Sequence, residues 1–440
     1  MKITLATDNR FWRQQLGSHK RIRALVNYLA SGRNDLSVVF LGQLYDPDEP
    51  GLASLPENYR FIAPFGYPLK PDNSSVGPLR ESRLKQSAKR FAKQALVEAQ
   101  RVLTDPAGLA GRSRTRWRFA LQEPKLRDFV RPEYQKAFHD ICASTEPEVV
   151  IVEYIRLGYL VNGLRAKLRV NAKLLIDTND VMHDRRSRFH LRGEPHDIDI
   201  TPAEESRILR RFDAVMAIQS EDASKLRALA PQVTVIVVGH PMPLHPSHYR
   251  SSFPVNVGFF GSNMPPNVDA VQVLLTDIIP KIASIFADTV QFHVFGSVCD
   301  PFTATAMPRN VHLHGFVSDL IAAYGDLDIV VAPIEYGGGL SIKNVEALCF
   351  GKPLVTTYVA AEGLEDGIGR AFVAAASTAE LIDALVRLAS SPEERKALGC
   401  AAIEYARSHF DENAAFGELM RFIGQPVRAV GDQRVGRPSP

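Results

Sequence analysis

Short runs of β-branched and aliphatic residues alternate along the chain with longer stretches in which apolar residues recur every three to four positions. The first pattern marks buried strands and the second amphipathic helices. In the first half, strands are expected at 3–6, 36–41, 59–62, 149–153, 173–177, 214–218 and 233–238, and helices at 20–30, 132–144, 157–168, 202–211 and 221–229. The rhythm stops at Gly239-His240-Pro241-Met242-Pro243-Leu244-His245-Pro246, where three prolines exclude both helix and central strand. It resumes with strands at 255–259, 290–295, 311–313, 329–332, 353–356 and 371–373, and helices at 267–285, 342–349, 378–389 and 392–410.

Two such alternations predict an α/β chain with two Rossmann-like, doubly wound domains facing a central cleft. The N-terminal domain is assigned to 1–238, the linker to 239–253 and the C-terminal domain to 254–411. A helix at 412–424 is expected to cross back to the N-terminal domain. The polar stretch 425–440 is expected to be disordered. Ligands of doubly wound sheets settle in the crevice at the carboxyl ends of the strands, which here is the cleft.

Composition and charge change this picture in two places. No apolar run approaches the roughly 20 residues that span a bilayer, and the apolar opening breaks at Asp8, so it reads as a first strand rather than a signal peptide. Cys142, Cys299, Cys349 and Cys400 are widely spaced and form no Cys-x-x-Cys pair, which fits a reducing cytoplasm. The net charge of +3 conceals a basic insertion at about 74–131, in which Arg and Lys far outnumber Asp and Glu. Within it, Leu84, Ala88, Phe91, Ala95, Ala99 and Val102 recur at helical spacing among basic residues. A helix over 80–103 either packs on the N-terminal domain or lies on an anionic membrane, which would place the protein peripherally at its inner face. No nucleic-acid module accompanies the charge. His240, His245 and His248 fall in the proline-rich linker and are expected to be solvated. His312 and His314 alternate along a strand, and no convergent metal-ligand set is visible.

The most informative stretch runs from Ile329 to Leu348. A buried strand ends at Pro333, Gly337-Gly338-Gly339 form a loop, and a helix starts near Ser341. Glycines let backbone approach a phosphate, and the free N–H groups of a helix start favour its charge. Lys343, in the first turn, is poorly placed against the helix dipole unless an anion partners it. Glu346 lies at i+3 on the same face, where a carboxylate can accept hydrogen bonds from a ribose diol. Gly17 and Ser18 follow the first strand; they either admit a ligand to the cleft or cap a helix. Asn179 and Asp180 follow the strand at 173–177 and are expected to face the cleft.

With Gly351-Lys352-Pro353 following, this block resembles the sugar-transferase branch of glycosyltransferase family 4, which has the GT-B fold. Glu362-Gly363-Leu364, Gly258 to Asn267 and His314 to Leu320 extend the resemblance, as do looser matches at Asp177 to Met182 and Glu204 to Glu221. It implies an N-terminal acceptor domain and a C-terminal domain that binds a nucleotide-sugar donor, with transfer that retains the anomeric configuration and needs no metal or other cofactor. The acceptor is expected to be a glycan or lipid-linked, in polysaccharide or glycoconjugate assembly. Lys343 and the amides of Gly338, Gly339 and Leu340 would stabilise the leaving diphosphate, beside Ser341. Ser262 and Asn263 would donate to phosphate, Glu346 would hold the ribose, and Gly315, Phe316 and Val317 would border the base. Asp180 and Asn179 would orient a sugar hydroxyl or the acceptor. Relatives carry a further glutamate where this chain has Gly338, so a sugar-binding carboxylate is either absent or supplied by Glu335. Two alternatives share the architecture: a nucleotide-sugar epimerase, and a catalytically silent subunit that binds sugar nucleotides.

Overall fold

The computed structural model describes residues 1–13, 17–32, 34–44, 51–65, 123–246 and 253–424. The helix expected over 80–103, nearly all of the basic insertion, His248 and the 425–440 tail lie outside the described residues.

The first sheet contains β1 (Lys2–Thr7), β2 (Asp35–Phe40), β3 (Arg60–Ile62), β4 (Val149–Glu153), β5 (Lys173–Asp177), β6 (Ala214–Ala217) and β7 (Thr234–Val237). All pair in parallel, in the order β3-β2-β1-β4-β5-β6-β7. Alternation across the sheet is clear in β4. Val149 and Ile151 join one apolar cluster, whereas Val150 and Val152 join the cluster on the opposite face. Helices α1 (Gly17–Ser31), α2 (Pro132–Thr145), α3 (Met182–Leu191), α4 (Pro202–Leu209) and α5 (Ser220–Leu229) accompany it.

The second sheet contains β8 (Val255–Phe260), β9 (Val290–Phe295), β10 (Val311–Gly315), β11 (Ile329–Ala332), β12 (Leu354–Thr357) and β13 (Val373–Ala375), again all parallel, in the order β10-β9-β8-β11-β12-β13. Helix α6 (Pro265–Val273) continues through a π-helical turn (Leu274–Ile278) into α7 (Ile279–Phe286). This helical run passes for a membrane span by length and mean hydropathy of 1.6, contrary to the sequence expectation. Ala270, Val271, Leu274, Ile278, Ile279 and Ile282 nevertheless pack into the second core. Helices α8 (Leu320–Gly325), α9 (Ile342–Cys349), α10 (Thr378–Ser390) and α11 (Pro392–His409) complete this half.

A last helix, α12 (Glu412–Gly424), sends Ala415, Phe416, Leu419 and Ile423 into the core of the first sheet. Lys173 caps its end by donating to the Phe422 and Ile423 carbonyls at 2.7 and 3.0 Å. The chain therefore passes between the halves twice, and the passages touch: Met242 N–H donates to the Phe410 carbonyl and Gly239 N–H to the Ala415 carbonyl, each at 3.0 Å.

Three further expectations need correction. The helix read at 157–168 is instead a pair of 3-10 turns, Ile155–Val161 and Leu164–Ala166, parted by Gly163 at φ 74°. Helix α3 was missed because its charged sequence buries only Met182 and Phe189 and shows no apolar stripe. His240 is not solvated but buried; burial, with Arg21 and Lys20 nearby, pushes it down to about 3 and keeps it neutral.

Candidate functional site

A cavity of about 550 Å³ lies between the domains. On one side it is lined by residues that follow β1 and β5, on the other by residues that follow β8 to β12. Its centre is the place where the second sheet's strand order reverses, between β8 and β11.

After β11 the backbone turns through Gly337, Gly338 and Gly339 into α9. Gly339 has φ 72°, and a Cβ there would stand 2.0 Å from Oδ1 of Asp180 in the other domain. The starts of α1 and α9 meet just as closely, since a Cβ on Gly17 would lie 2.5 Å from Cγ1 of Ile342. Two helix N-termini thus converge on one cavity, and Ser341 makes no side-chain cap on the second. Their dipoles, and the N–H groups that helix starts present, both favour an anion.

Lys343 sits among these groups, half-buried. Its Nζ donates to Asn267 Oδ1 at 2.6 Å and lies 5.5 Å from the centroid of Phe259. Burial pushes this ammonium down to about 8, with Glu346 pulling the other way. The amide of Asn267 in turn donates to the Ser262 carbonyl at 2.9 Å and to its hydroxyl at 3.2 Å, so Lys343 and Ser262 are held by one side chain. Glu346 is buried and occupied: Lys20 of α1 pairs with Oε1 across the domain boundary, and the Tyr324 hydroxyl donates to Oε2 at 3.2 Å. Burial and the neighbouring Glu346 push the Tyr324 phenol well up, so it remains a donor.

Of the residues singled out from sequence, Gly17, Ser262, Phe316, Val317, Gly338, Gly339, Leu340, Ser341, Lys343 and Glu346 line the cavity. Five others do not. Gly315 makes the turn at φ 66° that presents Phe316 and Val317. Asn263 is exposed, its N–H donating to Ser297 Oγ at 2.9 Å. Asn179 turns into the first domain, where its amide donates to Glu153 at 3.0 Å. Asp180 packs behind Gly339, and burial raises it above the usual carboxylate range. Glu335 reaches Arg192 at 3.0 Å, and no other glutamate adjoins the glycine loop at Gly338 in sequence.

The N-terminal wall was not foreseen. Arg13, Lys20, Arg185 and Phe189 line it, and every polar side chain that this domain contributes is cationic. Further cations clasp the other domain. Arg188 donates to the Gly337 carbonyl at 3.2 Å and to Glu362 at 3.0 Å, and Lys225 reaches Glu362 at 3.0 Å. Burial works against the charge on Glu362, yet the hydrogen bonds from Arg188 and Lys225 hold it below the usual range. Among the described residues no group of three or more His, Cys, Asp or Glu is arranged to hold a metal ion.

Comparison with known proteins gives this geometry its context. Solved structures share the whole architecture. Sucrose-phosphate synthase from Thermosynechococcus elongatus aligns at TM-score 0.65 and 14% identity, over 96% of this chain and 99% of that one. The fold is GT-B. A variant of TarM from S. aureus, in complex with fondaparinux, α-GlcNAc-glycerol and UDP, shares the GT-B architecture at TM-score 0.64 and 10% identity, over 96% and 100% of the two chains. Anabaena HepE in complex with UDP and glucose aligns at TM-score 0.58 and 12% identity, over 97% and 100%. Residues 254–391, most of the second GT-B domain, match the family described as Glycosyl transferases group 1. No curated protein matches the chain in sequence.

Proposed function

We propose that this chain is a retaining glycosyltransferase of the family 4 type, moving a sugar from a nucleotide donor to a hydroxyl of a glycan or lipid-linked acceptor. One observation carries the reading: Lys343 and two closely approaching helix N-termini line a single interdomain cavity. An empty site of this kind disfavours the lysine's charge, and a diphosphate would restore it. The match of residues 254–391 to Glycosyl transferases group 1 supports the same reading. So do the UDP complexes of HepE and TarM.

In the reaction, the bond from the sugar C1 to the β-phosphate oxygen breaks, and its electron pair stays on the phosphate. Lys343 and the amides from Gly338 to Ser341 stabilise that growing charge. The acceptor oxygen bonds to C1 on the face the phosphate leaves, and its proton passes to the departing diphosphate. Ser262, oriented by Asn267, donates to phosphate. Phe316 and Val317 border the base. For Glu346 to take the ribose diol it must share or release Lys20, so donor entry exchanges one partner of that carboxylate for another. No metal is required, because lysine and amides supply the positive charge. We place the enzyme in the cytoplasm.

The test is thermal unfolding with nucleoside diphosphates and nucleotide sugars. Ligand at about 100 times its Kd should stabilise the protein by roughly 2.7 kcal/mol. Lys343→Met should lower the transfer rate by about 10²-fold. The reading fails if no diphosphate raises Tm, or if the folded variant transfers at the original rate.

A further inference from the structure

The glycine loop faces an arginine whose hydrogen bonds are unspent. Arg185 of α3 lines the cavity and packs on Gly338, where a Cβ would lie 3.4 Å from its Cβ and 3.5 Å from its Cγ. Its side chain is only 17% exposed. Its Cζ lies 5.2 Å from the centroid of Phe189, while Asp180 and Asp197 stand 3.8 and 3.9 Å from Nη1. Those separations are ion pairs beyond hydrogen-bond reach, and among the described residues the guanidinium donates to no protein acceptor. Both carboxylates stand nearest Nη1, and the guanidinium keeps N–H groups, Nε and Nη2 among them, that no described protein acceptor takes.

The neighbouring groups are already engaged. The Tyr336 hydroxyl donates to Asp269 at 2.7 Å, Glu335 is turned to Arg192, and Glu346 is held by Lys20 and Tyr324. Among the described residues that line the cavity, Arg185 is therefore a bidentate cation, and the carboxylate of Glu346 is already engaged. A neutral hexose presents hydroxyls, which a carboxylate would receive better than a guanidinium does. An anion presents the two oxygens that the fork fits.

We propose that the transferred sugar itself carries a carboxylate, so that the donor is a nucleotide-linked hexuronic acid whose acid group is read by Arg185. This rests on the glycosyltransferase reading above. The bonds broken and formed at C1 are unchanged, and the carboxylate stays on the sugar throughout. Asp180 and Asp197 stand at Nη1; burial raises Asp180 above the usual range against the pull of Arg185, and Asp197 is exposed to solvent.

Calorimetric titration of the full chain with matched pairs tests this: UDP-glucuronic acid against UDP-glucose, and GDP-mannuronic acid against GDP-mannose. In one pair the uronic form should bind at least about tenfold more tightly, as a charge-assisted bidentate contact requires. Arg185→Gln should bring that ratio close to one. Arg185→Lys, which keeps the charge without the fork, should leave an intermediate ratio, and diphosphate binding by each variant reports that it is folded. Equal affinities within both pairs, or a preference that survives Arg185→Gln, overturn the proposal. So does a variant whose donor ratio stands while KM rises only for an anionic acceptor, which would move Arg185 to the acceptor side. Diphosphate binding without a uronate preference refutes this proposal alone. No diphosphate binding at all refutes the glycosyltransferase reading and this proposal with it.

Discussion

Where the strand order reverses in the first sheet, β1 and β4 end in Thr7 and Glu153; in the second sheet, β8 and β11 run out into Gly261-Ser262 and the glycine loop. The first crevice is filled from within. The Thr7 hydroxyl donates to one oxygen of Glu153 at 3.0 Å, while Asn9 and Asn179 donate to the other at 2.7 and 3.0 Å. Beside them Arg21 pairs with buried Asp177 and donates to the Val238 carbonyl at 2.6 Å. The second crevice holds small residues and backbone N–H groups, and it opens into the cavity. Topology makes a crevice in both halves, and side-chain volume decides which one admits a ligand.

The largest expected effect would come from removing the plug. Arg21→Ala strips the partner from a carboxylate that is wholly buried, and should cost about 3–5 kcal/mol in denaturant unfolding. A loss under about 1 kcal/mol would mean that the network is not what closes the first crevice. A smaller effect should appear at Glu153, which burial pushes up to about 8 from 4.5, with Arg156 opposing. Between those values the folded chain holds a proton that the unfolded chain has released. The group's contribution is therefore complete below about 4.5 and declines as pH rises toward 8, by roughly 1.4 kcal/mol per pH unit at most. Glu153→Gln keeps the shape and cannot titrate, so its stability should fall less steeply over that window; parallel curves for the two proteins would contradict the assignment. The smallest effect is expected at the domain boundary. Glu362→Gln weakens the clasp by Arg188 and Lys225, a partly exposed network, by no more than roughly 1 kcal/mol. Small-angle scattering should show a slightly larger radius of gyration, and an unchanged radius would assign closure to other contacts.

The same contrast explains what the sequence discloses. The second crevice is legible because one contiguous stretch carries strand, glycines, helix start, Lys343 and Glu346 in order, and each has a local physical reason. The parallel sheets are legible for a similar reason, since fully buried strands such as Val149–Glu153 read as unbroken apolar runs. The opposite wall is not. Lys20 and Arg185 look like the solvated charges of any surface helix; Lys20 finds its partner Glu346, and Arg185 packs on Gly338, in the other domain, so no spacing along the chain announces them. Glu335 is the converse case: it adjoins the glycine loop in sequence, and its side chain reaches Arg192. At Asn179, a position after a strand end is visible, but φ 59° and the pull of Glu153 turn the amide inward.

The paired passages of chain at Gly239–Met242 and Phe410–Ala415, laced together by two hydrogen bonds, behave as two pins on one side of a door. Swinging about the line through the pins is cheap, whereas twisting or sliding would shear both at once. The mouth of the cleft therefore has a single easy trajectory. Travel along it would part Lys20 from Glu346, and Arg188 and Lys225 from Glu362, while the pins scarcely move, which ties the admission of cargo to a row of ionic contacts on the far side of the door.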